Sequence, residues 1–405
     1  MNTLLVAATS AFLVLAPFAG SAGLRATMLI LAALVLARHP RATAAIAPRA
    51  PRAVVAALAS WAALAALSVA WSEQPAYTLA ELRAEIFYGA LALGVFFVAA
   101  AQDASRWRTW RIALLAGSTV LLVELTLQSM LGQSLTRHTA IEQRGPWSTH
   151  LVLIAPLLFT LGWPKPWGEN QATWVQAAAL AVLLFAAWGT ENRIMWVALG
   201  AQLLLAMALW RAIPAMEPTR ERDLRRLAIA AALVVGVAFA GSLVERNERF
   251  FGAQAPVATS FERDLRPRIW STAIDEWRKA PWLGHGFGRE IVAGAFIPLT
   301  PQVADHPELR HAHNVFLDAA IEMGVVGLAA LIAVLIALAR EYRGFLRRSD
   351  VAPLGLLGLM LIAGFMLKNL TDDFMHRHNA LVFWALNGML LGLGSAAPRA
   401  AETKR

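Results

Sequence analysis

The sequence predicts an all-α protein that crosses a membrane about twelve times, and three observations lead to that class. Of its 405 residues, 58% are hydrophobic and only 16% are charged, whereas an average soluble domain carries about 25% charged residues. Apolar runs of roughly 18 to 22 residues, a length that crosses a bilayer as a helix, recur along the chain. The arginines lie in short connections between those runs, so the net charge of +9 indicates a membrane topology and not a nucleic-acid partner.

The apolar runs predict one integral membrane domain over residues 1–405. The first run begins at Leu4 with no Lys or Arg before it, so we interpret it as a retained span and not as a cleaved signal peptide. The tenth run is long enough to tilt or to protrude from the bilayer. Cysteine is absent, which excludes disulfides and thiolate metal sites. The predicted spans are residues 3–18, 21–37, 53–72, 84–101, 111–131, 147–163, 173–190, 193–210, 227–244, 312–339, 352–369 and 378–395.

The basic residues decide the predicted orientation, because they concentrate after even-numbered spans. Lys and Arg are favoured in short cytoplasmic connections, so we expect that side and both termini to be cytoplasmic. The connection 245–311, between spans nine and ten, is long and therefore exempt from this rule, and we expect it to be a periplasmic or extracellular loop. The basic residues after spans two, four, eight and ten are Arg38, Arg41, Arg49, Arg52, Arg106, Arg108, Arg111, Arg211, Arg220, Arg222, Arg225, Arg226, Arg340, Arg343, Arg347 and Arg348.

Within this outer loop, residues 267–283 predict a short amphipathic helix that ends at Pro281. Its tryptophans suit the level of the lipid headgroups. A glycine-rich segment, 284–288, follows and would let the backbone approach a ligand closely. It lacks the strand-glycine-helix context of a nucleotide fingerprint, so nucleotide binding is not expected.

His313 and Asn314 stand where the outer loop is predicted to enter span ten. The N-terminus of a helix offers unpaired N–H groups and a positive dipole, which suit phosphate. A neutral imidazole there could take a proton from a hydroxyl, so His313 is the candidate catalytic residue, with Asn314 and His311 in support. The alternative is a polar cap at a membrane interface. Gly324 and Gly327, on one face of the same span, predict close helix packing.

Three arginines are candidates for binding a diphosphate, because Arg is always charged and donates through a planar fork. Arg193 begins span eight, where the helix dipole disfavours a cation, so either snorkelling or an anionic partner such as Glu191 would explain it. Arg268 opens the amphipathic loop helix, and Arg263 and Arg266 make its surroundings strongly positive. Arg289, just past the glycines, is a weaker candidate. Snorkelling or an exposed basic face on anionic lipid are the alternatives.

The outer end of span eleven carries Lys368, Asp372 and Asp373. We expect Lys368 and Asp372 to hydrogen-bond or to orient other groups of the site, although a solvated turn is the alternative. Two adjacent carboxylates alone are a weak metal signal, so no metal site is predicted.

Residues 268–327 together resemble the shared core of O-antigen ligases and polymerases. The resemblance lies in an Arg that opens a Trp-containing helix, then Gly-x-Gly, then His-Asn, nine residues and Gly-x-x-Gly. It implies a GT-C-like protein of the bacterial inner membrane with about twelve spans and one large periplasmic loop that contains short helices. It also implies transfer of O-antigen from undecaprenyl diphosphate to the lipid A–core oligosaccharide at the periplasmic face, with no nucleotide, metal or other cofactor. The family's essential His and outer-face Arg positions fall on His313, Arg193 and Arg268.

A single large loop favours a ligase over a polymerase, because polymerases usually carry two sizeable periplasmic loops. Protein O-oligosaccharyltransferases of the same superfamily are generally longer. The expected chemistry is one inverting displacement, in which the arginines hold the diphosphate and His313 activates the acceptor hydroxyl. A different class, a secondary transporter or lipid flippase, would show charges near the midplane and internal repeats. The charges here lie mostly at span boundaries.

Overall fold

The computed structural model describes residues 2–131, 140–163, 165–210, 217–251, 264–299 and 310–396. These residues form helices and connecting turns, with no β-strand among them. The predicted all-α class is therefore confirmed.

The helices follow the predicted apolar runs in order. In the described part of the chain they are α1 (Asn2–Leu15), α2 (Ala22–Ala37), α3 (Pro40–Ala44), α4 (Arg52–Leu67), α5 (Pro75–Glu81), α6 (Tyr88–Gln102), α7 (Arg106–Leu131), α8 (Ala140–Phe159), α9 (Thr173–Gly189), α10 (Arg193–Ala208), α11 (Pro218–Phe251), α12 (Arg266–Lys279), α13 (Ala293–Phe296), α14 (Val315–Phe345), α15 (Ala352–Lys368) and α16 (Arg377–Ala396). A π-helical turn, Leu82–Phe87, joins α5 to α6, and 3-10 turns occupy Ala19–Ser21, Ala47–Arg49, Ser68–Ala70, Thr160–Gly162 and Ile297–Leu299.

Seven helices of the described chain are long and apolar enough to cross a membrane, and a pair of helices bent by 95° would make eight. The chain is therefore a polytopic membrane protein. Four further apolar helices have 10–17 residues; a helix of 16 residues is about 24 Å long, less than the hydrocarbon core of about 30 Å. All twelve predicted spans overlap helices, but the count of twelve crossings stays a prediction. The seven helices are Arg52–Ala70, Pro75–Gln102, Arg106–Gln128, Gly145–Gly162, Pro218–Glu245, Val315–Phe345 and Arg377–Ala396.

Small residues and a polar bridge hold the bundle together. Helix α16 packs along α6, and Gly388 and Gly392 bring its backbone against the carbonyl oxygens of Leu93 and Phe97. Close backbone approach through glycine is a common means of helix association in lipid. The Gln202 amide of α10 donates hydrogen bonds of 3.0 Å to backbone carbonyls of both α8 and α15. Three helices are thus joined by one side chain.

Helix α14 is interrupted at Met323 and Gly324, whose backbone angles are not helical. Gly324 has a φ of +64°, which favours glycine. A Cβ at Gly324 would collide with the backbone of Trp282, so the close packing predicted for this glycine occurs against a loop and not against another helix. At Gly327 the crowding atoms belong to Met323 of the same helix.

The loop that fills this interruption, residues 281–286, replaces the missing helical hydrogen bonds. We call it the inserted loop. Its backbone pairs with backbone groups on both sides of the break, through Val325 N to Pro281 O (2.8 Å), His285 N to Ile321 O (3.0 Å) and Gly286 N to Glu322 O (2.9 Å). The inserted loop follows α12, which ends at Lys279, two residues before Pro281. It therefore fixes α12 and α14 relative to one another.

Candidate active site

The turn before α14 places the two histidines. His313 adopts a left-handed conformation, with φ of +49°, which non-glycine residues rarely take. Asn314 then caps the helix, because its Oδ1 accepts hydrogen bonds from the backbone N–H groups of Phe316 (2.9 Å) and Leu317 (3.2 Å). Its Nδ2 donates to the carbonyl of Leu370 (2.9 Å). Asn314 thus joins the start of α14 to the turn between α15 and α16.

Asp318, one turn into α14, holds the turn that contains the two histidines. Its Oδ1 accepts the backbone N–H of Ala312 (2.8 Å) and its Oδ2 lies 3.2 Å from His311 Nδ1. Burial, together with the charges of His313 and Arg289, holds the pKa of His311 well below its usual range, so this imidazole is neutral at pH 7. The rings of His311 and His313 lie with their centroids 4.0 Å apart.

His313, Asp372 and Lys368 form a chain of charged and polar contacts. His313 Nδ1 lies 3.3 Å from Asp372 Oδ1, and Asp372 Oδ2 lies 3.4 Å from the ammonium of Lys368, which is fully buried. Burial alone would raise the pKa of Asp372, but Lys368 and His313 hold it well below its usual range. The ionised Asp372 favours a proton on Nδ1 of His313. His313 Nε2 is buried with no hydrogen-bond partner among the described residues, and is available to accept a proton.

A cleft of about 490 Å³ lies beside this chain and contains two arginines. One oxygen of Asp264 lies 3.5 Å from Arg193 Nη2 and 3.2 Å from Arg266 Nη1. Arg266 Nε also donates to the carbonyl of Thr371 (3.0 Å), the residue before Asp372. The polar end of the cleft thus reaches Thr371, the sequence neighbour of Asp372, which is the partner of His313.

The rest of the cleft is apolar and lies between α10, α11 and α12. Trp270 of α12 contributes a ring whose Nε1 is buried without a described hydrogen-bond partner. The other apolar side chains of the cleft are Ile194 and Val197 of α10 and Phe239 and Leu243 of α11. A cleft with cations at one end and apolar walls suits an amphipathic ligand with an anionic head.

An acidic chamber of about 40 Å³ lies beside the first turns of α14 and is bounded by Asp373, the neighbour of Asp372. Five carboxyl side chains line it, from Glu81, Glu85, Asp318, Glu322 and Asp373, together with Arg289 and His376. The π-helical turn lies between Glu81 and α6, and π-turns are frequent at functional sites. A volume of 40 Å³ holds only a few water molecules. We therefore infer that the chamber positions residues and does not take up a sugar.

Charges inside the chamber are partly compensated. Arg377 Nη2 donates to Glu81 Oε1 (2.7 Å), and His376 Nδ1 lies 3.1 Å from Glu85 Oε1. Burial and the neighbouring Asp318 raise the pKa of Asp373 well above its usual range. Burial, with the nearby arginines, keeps the pKa of His376 well below its usual range. The carboxyl of Asp373 is therefore expected to keep its proton further toward neutral pH.

Part of the chain is similar to a known protein family. The O-antigen ligase family model matches residues 178–332. This match supports membership of the O-antigen ligase superfamily. A search of curated proteins gives no match to the chain. The matched segment runs from α9 into α14 and includes Arg193, Arg266 and His313, so the O-antigen ligase match contains both halves of the candidate site.

Two of the predicted arginines do not reach the cleft in this structure. The side chain of Arg268 is exposed, because two positions along a helix turn a side chain by about 200° relative to Arg266. Arg289 donates to the backbone carbonyl of Asp373 (3.0 Å) and lines the acidic chamber. The structure thus brings Arg193 to the cleft and adds Arg266, while the roles predicted for Arg268 and Arg289 stay predictions. Arg263 lies outside the described residues.

The side chains of the neighbours Asp372 and Asp373 point to different parts of the site. Asp372 turns to His313 and Lys368, whereas Asp373 turns to the chamber. Two other groups of ligand atoms each lie within 4.8 Å of one another: Glu81, Glu85 and His376 in one, and His311, Asp318 and Asp373 in the second. The prediction that this O-antigen ligase superfamily member uses no metal stays a prediction.

Several site residues were missed by sequence reasoning, although some gave a signal. Glu81 and Glu85 stand four apart at the start of an apolar run, and Asp318 and Glu322 stand four apart just after the His-Asn pair. Acidic residues in such runs are expensive and therefore suggest function. Asp264 gave no comparable signal, because it lies in a polar loop.

Proposed function

We propose that the protein is an O-antigen ligase, an inverting glycosyltransferase that moves O-antigen from undecaprenyl diphosphate to a hydroxyl of the lipid A–core oligosaccharide. Membership of the O-antigen ligase superfamily supports a glycosyltransferase that uses lipid-linked polysaccharide. The observation that carries the proposal is the position of the cationic cleft. Its Arg266 donates to the carbonyl of Thr371, and the next residue, Asp372, is the partner of His313. The arginine end of the cleft suits the diphosphate of the donor, and its apolar walls suit the lipid tail. The histidine suits a hydroxyl nucleophile, whose proton it can accept.

The donor diphosphate binds between Arg193 and Arg266 in this proposal. Both guanidiniums already lie within 3.5 Å of one anionic oxygen, that of Asp264, so their spacing suits a shared anion. Guanidinium forks bind phosphate oxygens in pairs, which fixes orientation as well as affinity. The polyprenyl tail follows the apolar walls of α10 and α11, and Trp270 Nε1 is free to donate to a donor oxygen.

The reaction is a single displacement. The acceptor oxygen attacks the anomeric carbon, and its proton passes to Nε2 of His313. The bond from the anomeric carbon to the diphosphate oxygen breaks, its electron pair stays with the diphosphate, and the arginines stabilise the charge that develops. One displacement inverts the anomeric centre. Asp372 stabilises the imidazolium and keeps its ring oriented, as a carboxylate does beside other catalytic histidines.

The orientation is part of the proposal and places the site in the periplasm, with both termini in the cytoplasm and α12 in the outer loop. It rests on the arginine-rich connections. The chain lacks cysteine, so single exposed residues can be tagged. Asp275→Cys on α12 should react with a membrane-impermeant maleimide on spheroplasts, and Arg222→Cys should react only after lysis. The opposite pattern would reverse the orientation.

Complementation tests the reaction itself. A ligase-null strain carrying this gene should regain long lipopolysaccharide ladders on a gel, and the His313→Ala variant should not restore them. Rescue of a polymerase-null strain alone would show a polymerase, and glycans attached to protein would show a protein O-oligosaccharyltransferase. Transfer by the purified protein to lipid A–core in detergent, with inversion at the new bond, would complete the assignment.

A further inference from the structure

A second charged cleft lies at the opposite end of α14 from the histidine turn. Its volume is about 720 Å³, and it lies between the segment that precedes α4, the end of α14 and the end of α16. Beyond its interruption at Met323 and Gly324, helix α14 continues over residues 325–345, a length of about 30 Å. The cleft therefore belongs to neither side of the proposed transfer reaction. Its lining residues are Pro48, Arg49, Ala50, Pro51, Arg52, Glu341, Phe345, Arg348, Gly394, Ser395 and Ala396.

The lining side chains carry an excess of positive charge. Arg49, Arg52 and Arg348 face one carboxylate, that of Glu341. Arg348 is engaged by Asp350 at 2.8 Å. Arg49 and Arg52 are exposed and form no ion pair with the residues that the structure describes. Two guanidiniums three residues apart are thus available to one anion.

Hydrogen bonds between three elements hold the walls of this cleft in place. Ser395 of α16 donates to the backbone carbonyl of Arg49 (3.2 Å). Arg348 donates to the backbone carbonyl of Gly394 at 3.5 Å. Gly394 packs directly on the ring of Phe345, which is 4% exposed and closes the base. These contacts preorganise the walls of the cleft, which lowers the entropy cost of ordering them when a ligand binds.

The cleft lies at the start of α4, one of the helices that are long and apolar enough to cross a membrane. Helix α4 begins at Arg52, and Val55, one turn later, is 49% exposed although it is apolar. An exposed valine on an apolar helix that is predicted to cross the membrane faces lipid tails. Basic pockets between membrane helices, next to such a surface, suit the phosphate of an anionic lipid headgroup.

From these observations we infer that this cleft binds the headgroup of an anionic phospholipid of the leaflet opposite the active site, with the phosphate between Arg49 and Arg52. Phe345 and the prolines offer an apolar floor for the first carbons of the lipid. The inference is independent of the proposed transfer reaction.

Lipid binding to the purified full-length chain tests this inference. The protein is prepared in phosphatidylcholine nanodiscs or detergent and titrated with short-chain phosphatidylglycerol, with native mass spectrometry and thermal stability as readouts. Phosphatidylglycerol should bind and raise Tm, and phosphatidylcholine should not. Arg49→Gln with Arg52→Gln should weaken binding at least tenfold. The Lys double variant, which keeps the charge but loses the forks, should lie between the two.

The matched control is Arg38→Gln with Arg41→Gln, which removes two exposed arginines from the same side of the molecule. It should change phosphatidylglycerol binding less than twofold. An equal loss in the control would mean that diffuse surface charge attracts the lipid, and the inference would be wrong. Saturation by inorganic phosphate at the same concentration would assign the cleft to free phosphate instead. Absence of phosphatidylglycerol binding to the wild-type protein would also overturn it.

Discussion

The cationic cleft and the acidic chamber both reach the turn between α15 and α16, the cleft at Thr371 and the chamber at Asp373, but they differ in size and in charge. The cleft has about 490 Å³ and two arginines that share one carboxylate, whereas the chamber has about 40 Å³ and five carboxyl groups. Space and two guanidiniums around one carboxylate suit an anionic ligand. A small volume, lined by groups that hydrogen-bond with one another, suits a structural role that positions neighbouring residues. In the proposed function, substrate therefore reaches His313 from the cleft, while Asp318, which lines the chamber, holds the histidine turn through Ala312 and His311.

The largest expected effect follows from removing the imidazole between the two regions. His313→Ala should lower turnover by roughly 100-fold or more, because general acid–base catalysis typically contributes that factor. Donor binding should remain, since Arg193 and Arg266 stay in place. Turnover and donor-lipid binding are measured separately in nanodiscs. A loss of donor binding as large as that of Arg193→Ala would make His313 a phosphate anchor and not a base.

The next largest effect tests which arginine of α12 belongs to the cleft. Arg266→Lys keeps the charge but loses the fork, and a lost hydrogen bond to a charged group costs about 1.5–3 kcal/mol. Donor affinity should therefore fall about tenfold to a hundredfold. Arg193→Lys should behave in the same way.

Arg268→Lys is the matched control, two residues away on the exposed side of α12. It should change donor affinity less than threefold. A larger loss at Arg268 than at Arg266 would support the original sequence prediction for Arg268 and would contradict the cleft as the donor site.

The neighbours Asp372 and Asp373 allow the two regions to be compared through stability. The pKa of Asp372 is lowered in the fold, so its contribution to stability is present above its unfolded pKa of about 3.9 and is lost as pH falls through the folded value. The pKa of Asp373 is raised, so its contribution is present below about pH 3.9 and is lost as pH rises toward the folded value. At pH 7, Asp372→Asn should therefore destabilise the protein, by about 3 kcal/mol because it leaves Lys368 buried without its partner.

Asp373→Asn should instead leave stability at pH 7 unchanged or raise it, and its advantage over the wild type should shrink as pH falls from 7 to 5. Thermal unfolding of both variants in the same detergent, at pH 5, 6 and 7, checks the pair. Equal destabilisation of the two variants at pH 7 would contradict the opposite charge states assigned to these neighbours.

The smallest expected effect is that of a chelator. In the proposed mechanism Arg193 and Arg266 supply the charge that a cation would otherwise provide, so transfer by purified protein should survive EDTA unchanged. If activity is lost and one divalent ion restores it, the chamber groups around Glu81 and His311 become the metal candidates, and the chamber takes part in the chemistry.

The sequence predicted well whatever depends on local chemistry. Apolar runs predicted the helices, because backbone groups in lipid must be satisfied within a helix. His313 and Arg193 became candidates because a polar residue at the boundary of an apolar run is itself unusual, and their roles stay predictions. The direction in which a helix face points was harder to predict. Arg266 and Arg268 are two positions apart, and only tertiary packing shows which side of α12 meets the cleft.

The interruption of α14 was also beyond the sequence. The apolar run continues through Met323 and Gly324, so periodicity predicts an unbroken helix. Gly324 was noticed, but its partner is a loop that lies about forty residues earlier in the chain, and such long-range pairing leaves no local pattern.

The inserted loop has a consequence for how this site tolerates change. It connects the helix of Arg266 to the helix that His313 precedes, and it does so through backbone N–H and carbonyl groups. Main-chain hydrogen bonds do not depend on side-chain identity, but Gly284 and Gly286, like Gly324, have positive φ, and a Cβ at any of them would collide with neighbouring atoms. The spacing between Arg266 and His313 is therefore insulated from substitutions at the exposed residues Trp282 and Leu283. A deep mutational scan should find these two positions permissive to side-chain exchange, the glycines restrictive, and the segment intolerant of a single inserted or deleted residue.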